Sequence, residues 1–158
     1  MSHKNHLGEQ RGDVPVKSNL KKQLVRLIVA GSFVLVGVSH FTDPETFLAI
    51  MPPYLSWHLE LVYISGFFEI LGGAGLLIPK LRRTAAWGLL ALLVAVFPAN
   101  IYMLTDEVYL PGMDGEPWML WARLPFQLVF ALGVAWAGGL IPGAGATRDE
   151  SSEGSPQD

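Results

Sequence analysis

The chain has 158 residues, enough for one domain, and a net charge of −3. Hydrophobic residues make up 51% of it and charged residues 16%, against about 25% charged in a typical soluble domain. It has no cysteine, which excludes disulfides, thiolate metal sites, iron–sulfur clusters and thiol redox catalysis. No basic face interleaved with aromatics points to nucleic acid.

The charges crowd into the polar leader, the last dozen residues and three short gaps between apolar runs. The leader, Met1 to Gln23, is long. The first apolar run ends in Ser39-His40-Phe41-Thr42-Asp43-Pro44 with no small-residue cleavage site, so it reads as a retained anchor rather than a signal peptide. Residues 1–21 form a polar cytoplasmic tail in this reading, 22–141 the folded domain, and 142–158 a Gly-, Ser- and acid-rich tail that cannot bury apolar surface and is expected to be disordered.

Four apolar windows follow, and the spacing predicts spans over about 22–41, 59–78, 84–105 and 118–140. A crossing helix needs about 20 mostly apolar residues to span a core of about 30 Å. The third window, Thr84 to Thr105, has no charge in 22 residues; the others, Leu24 to Phe41, Leu61 to Pro79 and Trp118 to Pro142, hold one each, Arg26, Glu69 and Arg123. A soluble four-helix bundle would need a polar face on every helix. Leu89-Leu90-Ala91-Leu92-Leu93-Val94-Ala95-Val96-Phe97 has none. The expected fold is therefore all-α, an integral membrane four-helix bundle whose first partner is the lipid bilayer.

Between the first two spans, Asp43 and Pro44 have the signature of a helix start, as N-cap and first helical residue, and Pro52-Pro53 ends the segment. A short helix lying in the outer interface is expected there. Orientation follows from the flanks. Lys17, Lys21, Lys22 and Arg26, then Lys80, Arg82 and Arg83, mark one side; Asp43, Glu45 and Glu60, then Asp106, Glu107, Asp114 and Glu116, mark the other, which has no Lys or Arg. Both termini are expected to be cytoplasmic, in the cytoplasmic or inner membrane. Tyr54, Trp57, Tyr102, Tyr109, Trp118 and Trp121 near the outer boundary, and Trp87 and Trp136 near the inner one, fit headgroup-zone belts.

Polar groups at membrane depth are the candidate site. At 1.5 Å per residue Glu69 lies roughly 15 Å deep and Asn100 roughly 8 Å. Arg123 stands about one turn into the last span, with Gln127 on the same face at i+4. His40 closes the outer end of the first span. Every span thus contributes a polar group in the outer half, and the inner half is aliphatic. An isolated charge at the centre costs about 2.5–3.5 kcal/mol on translocon scales, so these groups should face the bundle. Ser65, Gly72 and Gly73 form a small-residue face around Glu69, where helices approach closely. Arg123 is the partner expected for Glu69, with Gln127, Asn100 and His40 completing a polar pocket. The structural alternative is a buried clamp that holds the helices in register. His58 is expected in the headgroup zone. No His or carboxylate spacing makes a zinc or haem site. Pro98 and Pro125 each free a carbonyl one turn earlier, which widens a cavity or only kinks the helix.

At these residues the chain resembles the DoxX family of small membrane proteins. The resembling stretches are Gly37-Val38-Ser39-His40-Phe41 with Pro44, Met51-Pro52-Pro53-Tyr54, Tyr63-Ile64-Ser65-Gly66 and Glu69-Ile70-Leu71-Gly72-Gly73. They continue with Pro79-Lys80, Arg82-Arg83, Ala85-Ala86-Trp87-Gly88, Phe97-Pro98-Ala99-Asn100-Ile101 and Arg123-Leu124-Pro125-Phe126-Gln127. The resemblance implies a four-helix membrane bundle associated with redox systems, with quinone as the cofactor in view and a membrane oxidoreductase subunit or a second copy as partner. It supplies no catalytic motif, so the chain reads as an accessory subunit and not an enzyme on its own. The rival readings are a proton-coupled small-solute transporter using Glu69 and a non-catalytic membrane assembly partner.

Overall fold

A computed structural model describes residues 16–109 and 116–141. It is all-α, with five helices among those residues: α1 (Val16–Thr42), α2 (Pro44–Leu48), α3 (His58–Leu77), α4 (Arg82–Thr105) and α5 (Pro117–Ala137). Four of them are long and apolar enough to cross a membrane, and α2 is the short helix expected after the first span. The chain is a multi-pass membrane protein with four candidate spans. The tail at 142–158 and most of the leader lie outside the described residues. Within the leader, α1 begins at Val16, because Lys17, Leu20, Lys21, Lys22 and Gln23 are good helix formers with no breaker among them.

The helices pack in the ring order α1, α3, α4, α5, with α1 on α3 the most extensive seam and α1 on α5 the thinnest. Large apolar side chains cover the outside, among them Leu35, Val94, Phe126 and Leu132. That is the surface lipid requires, and one that water would not tolerate.

Small residues set the α1–α3 seam. A Cβ added at Gly37 would lie 2.7 Å from the Gly66 carbonyl oxygen, and one at Gly73 would lie 2.8 Å from that of Ala30. The two backbones touch at points seven residues apart on each helix, the repeat that keeps one seam in contact along a left-handed crossing.

The two halves of the bundle differ. At the basic end Val29, Ala30, Phe33, Leu76, Ala86, Leu89 and Val134 form a continuous apolar core. Two arginines close the helix ends there. Arg26 Nε donates to the Ala137 carbonyl at 3.2 Å and Arg82 Nε to that of Leu76 at 3.1 Å. Each places a cation at the carbonyl terminus of a helix, where the helix dipole favours it. Toward the acidic end a smaller cluster centres on Met103 and Leu120. A cavity occupies the space between.

Candidate functional site

The cavity encloses about 720 Å³, within the roughly 300–1,000 Å³ usual for small-molecule sites. His40 from α1, Glu69 from α3, Asn100 from α4, and Arg123 and Gln127 from α5 all line it. These are the five residues singled out by depth. The remaining wall is almost entirely apolar. Phe33, a member of the tight core, forms part of the wall, and Phe130 meets it edge-on, their ring centroids 6.0 Å apart.

On the α4–α5 side two amides hold each other. Asn100 Nδ2 donates to Gln127 Oε1 at 2.9 Å, and Gln127 Nε2 donates to the Leu93 carbonyl at 2.6 Å. Pro98 takes its own N–H out of α4 and distorts the preceding turn. Gln127 reaches the backbone of that turn from the neighbouring helix. Pro98 lines the cavity beside Asn100, within the continuous helix α4; Pro125 lies within α5 and outside the lining.

Glu69 is buried on the α1–α3 side. Among the described residues His40 stands beside it, with Nδ1 3.4 Å from Glu69 Oε2. Arg123, the partner expected for Glu69, lines the same cavity from α5. Depth counted by residue put His40 at the membrane boundary and Glu69 near the midplane. Side chains on a helix lean toward its N-terminus. The antiparallel helices α1 and α3 therefore tilt His40 inward and Glu69 outward, and the two converge. His40 is further committed, because Nδ1 lies 2.8 Å from the Val36 carbonyl one turn back. A carbonyl only accepts, so Nδ1 carries the proton. Glu69 Oε2 is buried and accepts no hydrogen bond among the described residues.

Helix α2 has a role the sequence reading did not assign. Phe47 stacks on His40, ring centroids 3.7 Å apart, and Phe47, Ile50 and Met51 line the cavity. The segment is a cover over the site. Phe47 lies on α2, and Ile50 and Met51 lie in the turn that follows it, so no helical periodicity marked the three as one face. The start of α2 is as expected, with Asp43 before Pro44, but the Asp43 carboxylate accepts from the Thr46 hydroxyl at 2.6 Å and not from a backbone N–H. His58 is the first residue of α3, and its Nε2 lies 3.1 Å from the Pro52 carbonyl in the preceding loop. Of the outer-boundary tryptophans, Trp118 lines the cavity and Trp121 lies outside the lining.

The lining residues that are also exposed, Val36, Leu61, Ile64, Ala95, Pro98, Trp118, Phe126 and Phe130, are all apolar or aromatic, so the open side of the cavity is apolar. A molecule entering there passes hydrocarbon first, and the polar groups lie deeper. Among the described residues no group of three or more His, Asp or Glu could hold a metal ion.

No curated protein and no solved structure matches the chain. A family model for a domain of unknown function, DUF8561, matches residues 29–139, a stretch that contains every residue lining the cavity, and the chain belongs to that family.

Proposed function

We propose that this protein binds a small lipophilic or quinone-like molecule in the cavity between its four spans, as an accessory subunit in membrane redox or envelope homeostasis. One observation carries the reading: polar side chains from all four spans converge on a single, otherwise apolar cavity with an apolar mouth. A clamp that only fixes register needs two partners. A site that orients a ligand needs a few convergent polar groups in an apolar wall. The DoxX-like motifs place quinones first among lipophilic ligands. The test titrates ubiquinone and menaquinone analogues, oxidised and reduced, against the purified protein and follows tryptophan fluorescence, since Trp118 lines the cavity. Saturable quenching is expected, weakened at least tenfold in Asn100→Leu and Gln127→Leu with the fold intact. If no quinone or quinol binds saturably, the redox reading fails.

The same proposal sets both termini in the cytoplasm and the cavity in the outer half of the membrane, because basic flanks stay inside. The chain has no native cysteine, so single cysteines report cleanly. Arg83→Cys and Glu116→Cys are expected to react with an impermeant maleimide from opposite sides, Glu116→Cys from outside. Reaction of both from one side would sink the four-span topology.

A second reading, proton-coupled transport of a small solute, is favoured by the unsatisfied Glu69 oxygen deep in the bundle. Intramembrane carboxylates commonly serve proton relays. Substrate-dependent proton release from the purified protein, absent in Glu69→Gln, would select it over the accessory role.

A further inference from the structure

The hydrogen bonds around the cavity are unevenly distributed, and the imbalance bears on its occupant. On the α1–α3 wall the polar lining groups are Ser32, His40, Ser65 and Glu69. Each hydroxyl has one proton, and each gives it to its own helix. Ser32 Oγ donates to the Ile28 carbonyl and Ser65 Oγ to the Val62 carbonyl, both at 2.9 Å. His40 gives its Nδ1 proton to Val36, which leaves Nε2 of the neutral ring as an acceptor. Glu69 Oε2 accepts nothing among the described residues. This wall therefore presents accepting positions with the donors already used. On the opposite wall a donor remains: Asn100 keeps a second amide proton after its bond to Gln127.

A buried acceptor left without a donor bears an uncompensated desolvation cost, and a bound molecule that supplies the donor recovers it. We infer that the cavity is built for an apolar molecule whose polar head donates a hydrogen bond, a phenolic hydroxyl or an ammonium group, and that this head lodges against Glu69 on the α1–α3 wall. The inference rests on the reading of the cavity as a binding site and adds the chemistry of its ligand. A hydroxyl head also accepts, so it can meet Asn100 with its oxygen while its proton turns to Glu69. A head that only accepts, such as an ether or ketone, can satisfy the α4–α5 side alone.

The experiment uses three probes with one apolar body: a 4-alkylphenol, its methyl ether, and the matching 4-alkylbenzylamine. Each is titrated calorimetrically into the full chain in lipid nanodiscs. At least one of the donors, phenol or amine, is expected to bind tenfold or more tightly than the ether, and which one leads distinguishes a neutral hydroxyl from a cation. In Glu69→Leu the preference is expected to disappear. An ether that binds within twofold of both donors would overturn the inference while leaving the cavity a binding site. A preference that survives in Glu69→Leu would overturn the assignment to Glu69. Failure of all three to bind would overturn the binding-site reading and this inference with it. The wild-type comparison needs no variant, and Glu69→Met, similar in size and without an acceptor oxygen, serves if the leucine substitution does not yield monodisperse protein.

Discussion

Gly66→Ala is expected to destabilise the detergent-solubilised protein by about 3 kcal/mol, the upper end of the roughly 1–3 kcal/mol usual for inserted methyl groups. The added Cβ would lie 2.6 Å from His40 Cβ and 2.8 Å from the Gly37 carbonyl oxygen. Neither obstacle can swing away, since one is backbone and the other is the first atom of a side chain pinned at Val36 and stacked on Phe47. The relief available is to part α1 from α3, the most extensive seam in the bundle. Gly37→Ala meets the same seam from the other side, with the Gly66 oxygen at 2.7 Å and Ile70 Cγ1 at 2.8 Å, and should behave alike. Gly31→Ala and Gly88→Ala are the controls. Nothing lies within 4 Å of either new Cβ, so their effects should stay within about 0.5 kcal/mol. Thermal unfolding of the four variants, followed by far-UV circular dichroism, checks this. Equal stability of Gly66→Ala and Gly31→Ala would mean that α1 and α3 do not approach as closely as described. Separation of α1 from α3 would also move His40 away from Glu69, so the same variant should weaken ligand binding.

That seam explains what was legible in the sequence and what was not. Hydropathy and length place the spans, because a hydrocarbon core asks for little else from a crossing helix. The inward orientation of Glu69 could be read from its neighbours. Gly72 packs against the Leu89 side chain and Gly73 against the Ala30 backbone, as a small-residue face predicts. Membership of one cavity by His40, Glu69, Asn100, Arg123 and Gln127 could be read as well, because polar groups in hydrocarbon seek one another's company. The individual contacts could not. Which partner meets Glu69 depends on the register of α1 on α3 and on the lean of each side chain, and residue counts from the membrane boundary carry neither. The cover formed by Phe47 depends on the path of the loop between α2 and α3, and no periodicity encodes that path.

The hollow and the packed half of the bundle should answer a large side chain in opposite ways. Ala122 lines the cavity one residue before Arg123, and Ala99 lines it one residue before Asn100. Ala122→Phe or Ala99→Phe projects a ring into empty space, so the fold has little to rearrange. The ring takes volume a ligand needs. Affinity for whichever quinone, quinol or phenol binds the wild type is expected to fall about 100-fold, or about 2.7 kcal/mol, with thermal stability held or raised. Ala86 is the contrasting position. It is fully buried in the apolar core, and a Cβ added at Gly138 would collide with the Ala86 Cβ. Ala86→Phe there has no space to enter and should destabilise by several kcal/mol, beyond the usual overpacking range of about 1–3 kcal/mol. Calorimetric titration and thermal unfolding, run on all three variants, separate the two cases. A stable Ala122→Phe that binds ligand as tightly as wild type would place the binding site elsewhere and leave the convergence of five polar side chains to serve packing alone. A loss of binding that tracks a loss of stability would point to the same conclusion, because a true cavity can be filled without unfolding the protein that surrounds it.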